Sequence, residues 1–227
     1  GDLSMRYDVI LMDIDNTLLD FDAGTRDALT EMLATYGLEL TPEREHLFHT
    51  VNNRLWKQYE LGEIPKAAIF EQRFGQFLGK LGISCDALAE NARYAKLLSQ
   101  SAVFMPHCVE LLEALKGKCR LVGVTNGVVT TQKPRLEKAG FARYLEQVFV
   151  SEAMGCKKPE KEFFDKVFAA LGPVDKSRCL ILGDSLSSDM QGGRNAGIAA
   201  CYYGSDPDDR CDYVITDLLD LIPIVEG

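Results

Sequence analysis

The chain has 227 residues, 46% of them hydrophobic and 26% charged, an ordinary globular composition sufficient for one large domain or two small ones. Its net charge of −9 argues against a broad surface for nucleic acid or anionic membrane, and an anionic substrate would need a local cation. Seven cysteines, an odd number with no C-x-x-C pair, point to reduced, mostly buried thiols of a cytosolic protein rather than a disulfide framework or a zinc site. No apolar run approaches the length of a membrane span. The opening GDLSMRYD has no apolar signal region, so the expected location is cytoplasmic; residues 1–4 carry no fold signal.

In chain order, residues 7–12 form a short, nearly continuous apolar run that ends in Asp13 and Asp15. Residues 22–104 then show no strand pattern. Leu29, Met32, Leu33 and Tyr36 keep the spacing of one helix face. Leu47, Phe48, Val51 and Leu55 give a second face, Phe70, Phe74, Phe77, Leu78 and Leu81 a third, and Leu88, Ala95 and Leu98 a weaker fourth. Turn signals at Gly37, Thr41-Pro42, 62–65 and 82–85 separate them. From about residue 106 onward, apolar runs at 121–124, 148–150, 180–182 and 198–203 alternate with helical stripes such as Val109, Leu112, Leu115 and Phe163, Phe164, Val167, Phe168, Leu171. A run at 213–215 adds an edge strand. Short β-branched runs of this kind suit strands buried on both faces, so the expectation is a doubly wound parallel-sheet α/β domain interrupted by a four-helix insert. The boundaries are 1–21 with 105–227 for the α/β domain and 22–104 for the insert.

Ligands of open α/β sheets bind at the carboxyl ends of the strands, and four strand ends here carry polar groups. They are Asp13, Asp15 and Thr17; Thr125, Asn126 and Gly127; Lys157, Lys158 and Pro159; and Asp184, Ser185 and Asp189. Each alone has an ordinary reading. Thr125 can be a helix cap, Asp189 a helix-start acid, and a lysine is usually a solvated surface group. The glycines of G-G-R-N-A-G (192–197) follow a helix and not a strand, so Gly197 reads as that helix's end rather than a dinucleotide loop.

Together, D-I-D-N-T (13–17), V-T-N-G (124–127), K-K-P (157–159) and G-D-S-L-S-S-D (183–189) resemble the haloacid dehalogenase superfamily of phosphohydrolases across the chain. The resemblance implies a Rossmann-like core with a helical cap in place of the insert. It implies that Asp13 attacks phosphorus to form an aspartyl-phosphate. Asp15, two residues on, would protonate the leaving oxygen and then deprotonate water, work that calls for a carboxyl pKa raised toward neutrality. Mg²⁺ would be held by Asp13, Asp184 and the main-chain carbonyl of Asp15, with Asp189 and Ser185 orienting that shell. Thr125, Asn126 and Lys158 would bind the phosphoryl group, with main-chain N–H groups near Asn126 and Gly127 as further donors. Lys157 competes with Lys158, which is preferred because it abuts Pro159.

The segment 51–64, with Asn52, Trp56 and Tyr59 at helical spacing, and the core stretches T-N-G-x-x-x-x-Q (125–132), R-L-E-K-A-G (135–140) and S-D-M-Q-G-G-R-N-A-G (188–197) resemble one subgroup, the YjjG-type pyrimidine nucleoside monophosphatases. This implies 5′-nucleotidase activity on dUMP, UMP, dTMP and non-canonical analogues. An aromatic wall and an amide suit a flat base, and Phe21 is a further candidate to face it. Equally, Trp56 and Tyr59 can be bundle core. His107-Cys108 depart from the subgroup, whose members often carry Gly after the Pro. His46 and His49 read as a solvated helix face rather than a metal pair.

Within the fold, a phosphatase for a small phosphoester such as phosphoglycolate or a sugar phosphate is the nearest alternative. A phosphosugar mutase would use the same core. A dehalogenase does not require the second acid, so Asp15 argues against it. The intact polar set argues against a phosphate-binding module without turnover. A nucleic-acid polymer or membrane partner is not expected, and the oligomeric state is not legible.

Overall fold

The computed structural model describes residues 5–227; residues 1–4, counted above in the α/β domain, lie outside them. The described residues divide into two compact units, 5–21 with 102–227, and 22–101. No described helix is long and apolar enough to cross a membrane.

The first unit is built on a parallel sheet of six strands. These are β1 (Val9–Met12), β2 (Arg120–Thr125), β3 (Gln147–Val150), β4 (Cys179–Gly183), β5 (Ala199–Tyr203) and β6 (Tyr213–Ile215), in spatial order β3-β2-β1-β4-β5-β6. The chain runs outward from β1 to β3 and then crosses back to β4, so β1 and β4 flank the reversal point, where open α/β sheets place their ligands. Residue 7 falls outside β1. The N–H groups of Arg6 and Tyr7 both donate to the carbonyl of Val225, at 2.8 and 3.2 Å, which takes that segment away from the sheet ladder.

Alternation explains the continuous apolar runs. Ile10 and Met12 of β1 and Leu180 and Leu182 of β4 enter one apolar layer, while Val9, Leu11, Cys179 and Ile181 enter the other. Both faces of the sheet are thus covered, which is why these strands lack polar alternation. The helices of this unit follow the strands: α5 (Cys108–Leu115), α6 (Val129–Ala139), α7 (Ser151–Met154), α8 (Lys161–Leu171), α9 (Gln191–Ala196) and α10 (Leu221–Glu226), after the four of the other unit. Gly197 ends α9 in the left-handed region. All seven cysteines are free, four of them buried.

The second unit is helical: α1 (Phe21–Ala34, which starts one residue before the unit), α2 (Pro42–Glu60), α3 (Lys66–Lys80) and α4 (Ala87–Ser99). Thr41 caps α2, its Oγ1 accepting from the N–H of Arg44, with Pro42 in the first turn where a missing donor costs nothing. The core is aromatic. Phe48 lies between Phe74, Phe77 and Tyr94, with ring centroids 5.4–5.6 Å away. The fourth stripe needs correction. Leu88 is 58% exposed, and α4 instead buries Tyr94 and Leu98, because a tyrosine can bury its ring when its hydroxyl finds a partner, here Thr25 Oγ1 at 2.9 Å. The chain rejoins the first unit at Ala102 rather than at residue 105, since Val103 O accepts from Asp20 N at 2.7 Å and Leu18 O accepts from Met105 N at 2.9 Å.

Candidate active site

The carboxyl ends of β1, β2 and β4 converge on Asp13. Its main-chain N–H donates to Leu182 O at 2.9 Å, which locks the residue in register with the end of β4. Beyond it Asn16 turns the chain in the left-handed region, φ 62°, a conformation that asparagine tolerates better than most residues. The Thr17 hydroxyl therefore returns to the cluster, 3.1 Å from Asp13 Oδ2 and 3.4 Å from Asp184 Oδ1.

Lys158, not Lys157, reaches this point. Its ammonium is buried and donates to Asp13 Oδ1 at 3.0 Å, Asp189 Oδ1 at 2.7 Å and Val124 O at 3.0 Å. Burial alone would lower the lysine pKa, but the carboxylates of Asp13 and Asp189 outweigh it and hold the ammonium above its ordinary value. The lysine's main chain is fixed by Asn126, whose Oδ1 accepts from Lys158 N at 2.9 Å and whose Nδ2 donates to Lys158 O at 3.0 Å. The Asn126 side chain thus holds Lys158, so a contact from this residue to a phosphoryl group would come from its main-chain N–H. The Gly127 N–H instead donates to Thr125 Oγ1 at 3.0 Å.

Carboxylate oxygens of Asp13, Asp184 and Asp189 lie within 4.8 Å of one another. Asp189, expected beside the cluster, is fully buried within it. Its Oδ2 accepts from the N–H of Ser185 at 3.2 Å. The Ser185 hydroxyl instead accepts from Ser188 N at 3.1 Å and caps the following turn, so Ser185 meets Asp189 through its main chain. Gly183 makes room: a Cβ there would fall 2.1 Å from Asp189 Oδ2. Burial first, then Asp13, raises Asp184 to about 9. Burial and Asp13 also raise Asp189 to about 7 against the pull of Lys158. Lys158 contacts two of the three carboxyl groups, and the crowding that raises Asp184 and Asp189 is what a hard divalent cation would relieve, since it favours an all-oxygen donor set of this kind.

Asp15 has separate partners. Arg135 Nη1 donates to Asp15 Oδ1 at 2.5 Å and Gln132 Nε2 to Oδ2 at 3.0 Å. Burial raises this carboxyl and Arg135 only partly opposes the rise, even though the side chain keeps 27% exposure.

The family model of haloacid dehalogenase-like hydrolases matches residues 7–197. The chain belongs to that family. Among its relatives this haloacid dehalogenase-like hydrolase is 34% identical to the pyrimidine 5′-nucleotidase PynA of Streptococcus pneumoniae over 88% of the chain and 84% of PynA. It is 33% identical to the pyrimidine 5′-nucleotidase YjjG of Escherichia coli, over 87% of the chain and 86% of YjjG. The magnesium-bound crystal structure of the HAD-hydrolase YfnB from Bacillus subtilis superposes with a TM-score of 0.91, at 31% identity, covering 97% of this chain and 99% of that one.

Gln132 and Arg135 escaped assignment from sequence, although both lie in stretches shared with the nucleotidase subgroup. Besides that resemblance the signal was position: they stand seven and ten residues after Thr125, on one face of a helix otherwise rich in polar residues. Phe21 opens α1 in this hydrolase, and the Arg135 guanidinium lies 5.4 Å from its ring centroid. A cleft of about 440 Å³ beside Asp184 is lined by Asn16, Met105, Tyr203, Gly204, Ser205 and Thr216.

In the helical unit, Asn52 Oδ1 accepts from Arg73 Nη1 at 3.3 Å. Trp56 and Tyr59, 5.9 Å apart by ring centroids, are partly buried and pack on the cluster of Val51, Leu55 and Ile69. His49 meets Glu45 at 3.8 Å, and neither it nor His46 belongs to a possible metal group among the described residues.

Proposed function

We propose that the chain is a Mg²⁺-dependent phosphatase that hydrolyses phosphate monoesters through an aspartyl-phosphate on Asp13, acting as a 5′-nucleotidase on pyrimidine nucleoside monophosphates such as dUMP, UMP and dTMP. The observation that carries the reaction class is the pairing of Asp13 with the buried ammonium of Lys158 while Asp15, two residues on, has an independent set of partners. An Asp13 oxygen attacks phosphorus as the bond to the leaving oxygen breaks, and Asp15 gives that oxygen its proton. Water then attacks phosphorus, the Asp13–phosphorus bond breaks, and Asp15 takes the water's proton. A carboxyl raised above its ordinary value by burial is better suited than a free one to both transfers. Lys158 offsets the charge on the transferring group. Thr125 donates to it, because Thr125 Oγ1 already accepts from Gly127 N and Gln132 Nε2, each at 3.0 Å, which leaves its own proton as the remaining donor.

Asp13, Asp184 and the main-chain carbonyl of Asp15 would hold Mg²⁺, with Asp189 alongside. When bound, the ion supplies positive charge that draws in the phosphoryl oxygens. Because protons and the cation compete for the same carboxylates, stability should depend on both. Asp184 has a folded pKa above its ordinary value, so its protonation stabilises the fold fully below about pH 4 and that contribution is lost as pH rises through about 9. The rise in melting temperature on replacing EDTA with Mg²⁺ should therefore grow from pH 5.5 to pH 9. Each kcal/mol regained should appear as about 2–4 °C. A stabilisation by Mg²⁺ that shrinks with pH would contradict this assignment.

The nucleotide preference is supported by PynA and YjjG, both named pyrimidine 5′-nucleotidases. The helical unit serves as the cap that selects the substrate, with Asn52, Trp56 and Tyr59 as its candidates for the base. Trp56→Ala should lower kcat/KM for dUMP about ten-fold, the scale of one lost base–aromatic stack, and change that for p-nitrophenyl phosphate far less. Equal losses would return Trp56 to the packing of its unit. More distant relatives include N-acylneuraminate-9-phosphatases at 26% identity, which keeps a sugar phosphate as the second reading. The experiment that separates the two is a screen of nucleoside monophosphates against sugar phosphates and phosphoglycolate. A preference for the latter group would overturn the nucleotidase reading.

A further inference from the structure

Helix α6 turns two polar side chains inward that apolar packing does not require. Arg135 is 2% exposed and Gln132 1%, and Arg135 Nε is buried with no partner. A buried guanidinium with an unsatisfied N–H costs stability, so packing alone does not account for its place there. Arg135 Nη1 donates both to Asp15 Oδ1 at 2.5 Å and to Gln132 Oε1 at 2.6 Å. A guanidinium can only donate, so Gln132 must present its oxygen to Arg135. That turns its amide nitrogen the opposite way, where its two hydrogens serve Asp15 Oδ2 and Thr125 Oγ1, each at 3.0 Å. The chain of contacts is directional from end to end, since no member can be flipped without losing the others.

Gly127 adds an independent sign that this position matters. A Cβ there would lie 2.7 Å from Gln132 Cγ and 2.8 Å from Nε2. Gln132 has no room to yield, being held by Arg135, Asp15 and Thr125 at once. A residue with no side chain is thus required for the amide to lie where it does.

We propose that Arg135 and Gln132 are positioning residues for the leaving-group step. They hold the carboxyl of Asp15 in the orientation from which it delivers its proton, and through the same amide they fix the Thr125 hydroxyl as a donor. The inference rests on the proposed acid–base role of Asp15 and deepens it. Proton delivery matters for a nucleoside, whose alkoxide is a poor leaving group, and hardly at all for p-nitrophenolate, which departs unprotonated.

The test is a single-turnover comparison with enzyme in excess, so that only phosphorylation of the enzyme is read. Release of deoxyuridine from dUMP and of nitrophenolate from p-nitrophenyl phosphate is timed for wild type, Arg135→Met, Gln132→Met, Gly127→Ala and Asp15→Ala, with circular dichroism as the check of folding. Nucleoside release should slow about 10²–10³-fold in the α6 variants, within the range of general acid catalysis; nitrophenolate release should slow less than about five-fold in Arg135→Met, and more in Gln132→Met, which also frees Thr125, but there still less than nucleoside release. Gly127→Ala, which removes no polar group, should show the same bias and keeps the test alive if Arg135→Met does not fold. Equal losses on both esters, or no loss on either, overturn the positioning role when Asp15→Ala itself shows the bias. If Asp15→Ala shows none while wild type turns over both esters, the acid–base assignment has failed. Absence of wild-type turnover on either ester overturns the phosphatase reading and this inference with it.

Discussion

Asp13→Asn should reduce kcat by about 10⁴-fold or more, the scale seen when a nucleophile is removed from a group of residues that act as a unit. The substitution preserves volume and keeps an oxygen for Lys158, 3.0 Å away, while the amide nitrogen faces the Thr17 hydroxyl, which can accept from it. It removes the attacking carboxylate and one of the two charges facing Lys158. Asp189 still pairs with the ammonium at 2.7 Å, so the fold should survive and the melting temperature should move by only a few degrees. Initial rates on p-nitrophenyl phosphate, with a thermal melt of the same preparation, check both halves. A variant retaining a tenth of wild-type activity would contradict the assignment of Asp13.

Lys158→Met should damage both stability and rate. The ammonium is 2% exposed and joins Asp13 and Asp189, which are 10% and 0% exposed. Removing one partner of a buried pair leaves the other charge unpaired, at a cost of about 3–5 kcal/mol, here set against two carboxylates rather than one. The melting temperature should fall by roughly 6–20 °C at neutral pH. Part of the loss should be recovered toward pH 5, because Asp189, already raised to about 7 with the lysine in place, is then protonated and no longer charged. kcat should fall about 10²–10³-fold, the loss seen on removing one charge-stabilising donor. Wild-type melting and rate in this variant would place the lysine outside the site.

The strands were legible because burial on both faces leaves a continuous apolar run that stops where the sheet stops. Asp13, Asp184 and Lys158 were legible as polar residues directly at those stops. What stayed hidden depends on pairing between distant segments. Arg135 lies 120 residues from Asp15, and only the placement of β2 beside β1 brings α6 to it. Helix α6 reads V-T-T-Q-K-P-R-L-E-K-A, with no apolar stripe to mark its inner face. Asn126 was legible as a strand-end residue, but not the pairing of its amide with a main chain 32 residues away. Leu88 was misplaced for the opposite reason: helical periodicity was present, but the neighbouring Tyr94 had the better-supported burial.

The central claim is that phosphate leaves its ester by transfer to Asp13. It is tested most directly in Asp15→Ala turning over p-nitrophenyl phosphate. The leaving group needs no proton, so the enzyme should be phosphorylated. Without a base to activate water, the acyl phosphate should then accumulate. Acid quenching followed by peptide mass mapping should find one phosphoryl group on the peptide containing Asp13. Nitrophenolate released with no adduct, or with the phosphoryl group on another residue, would contradict the account.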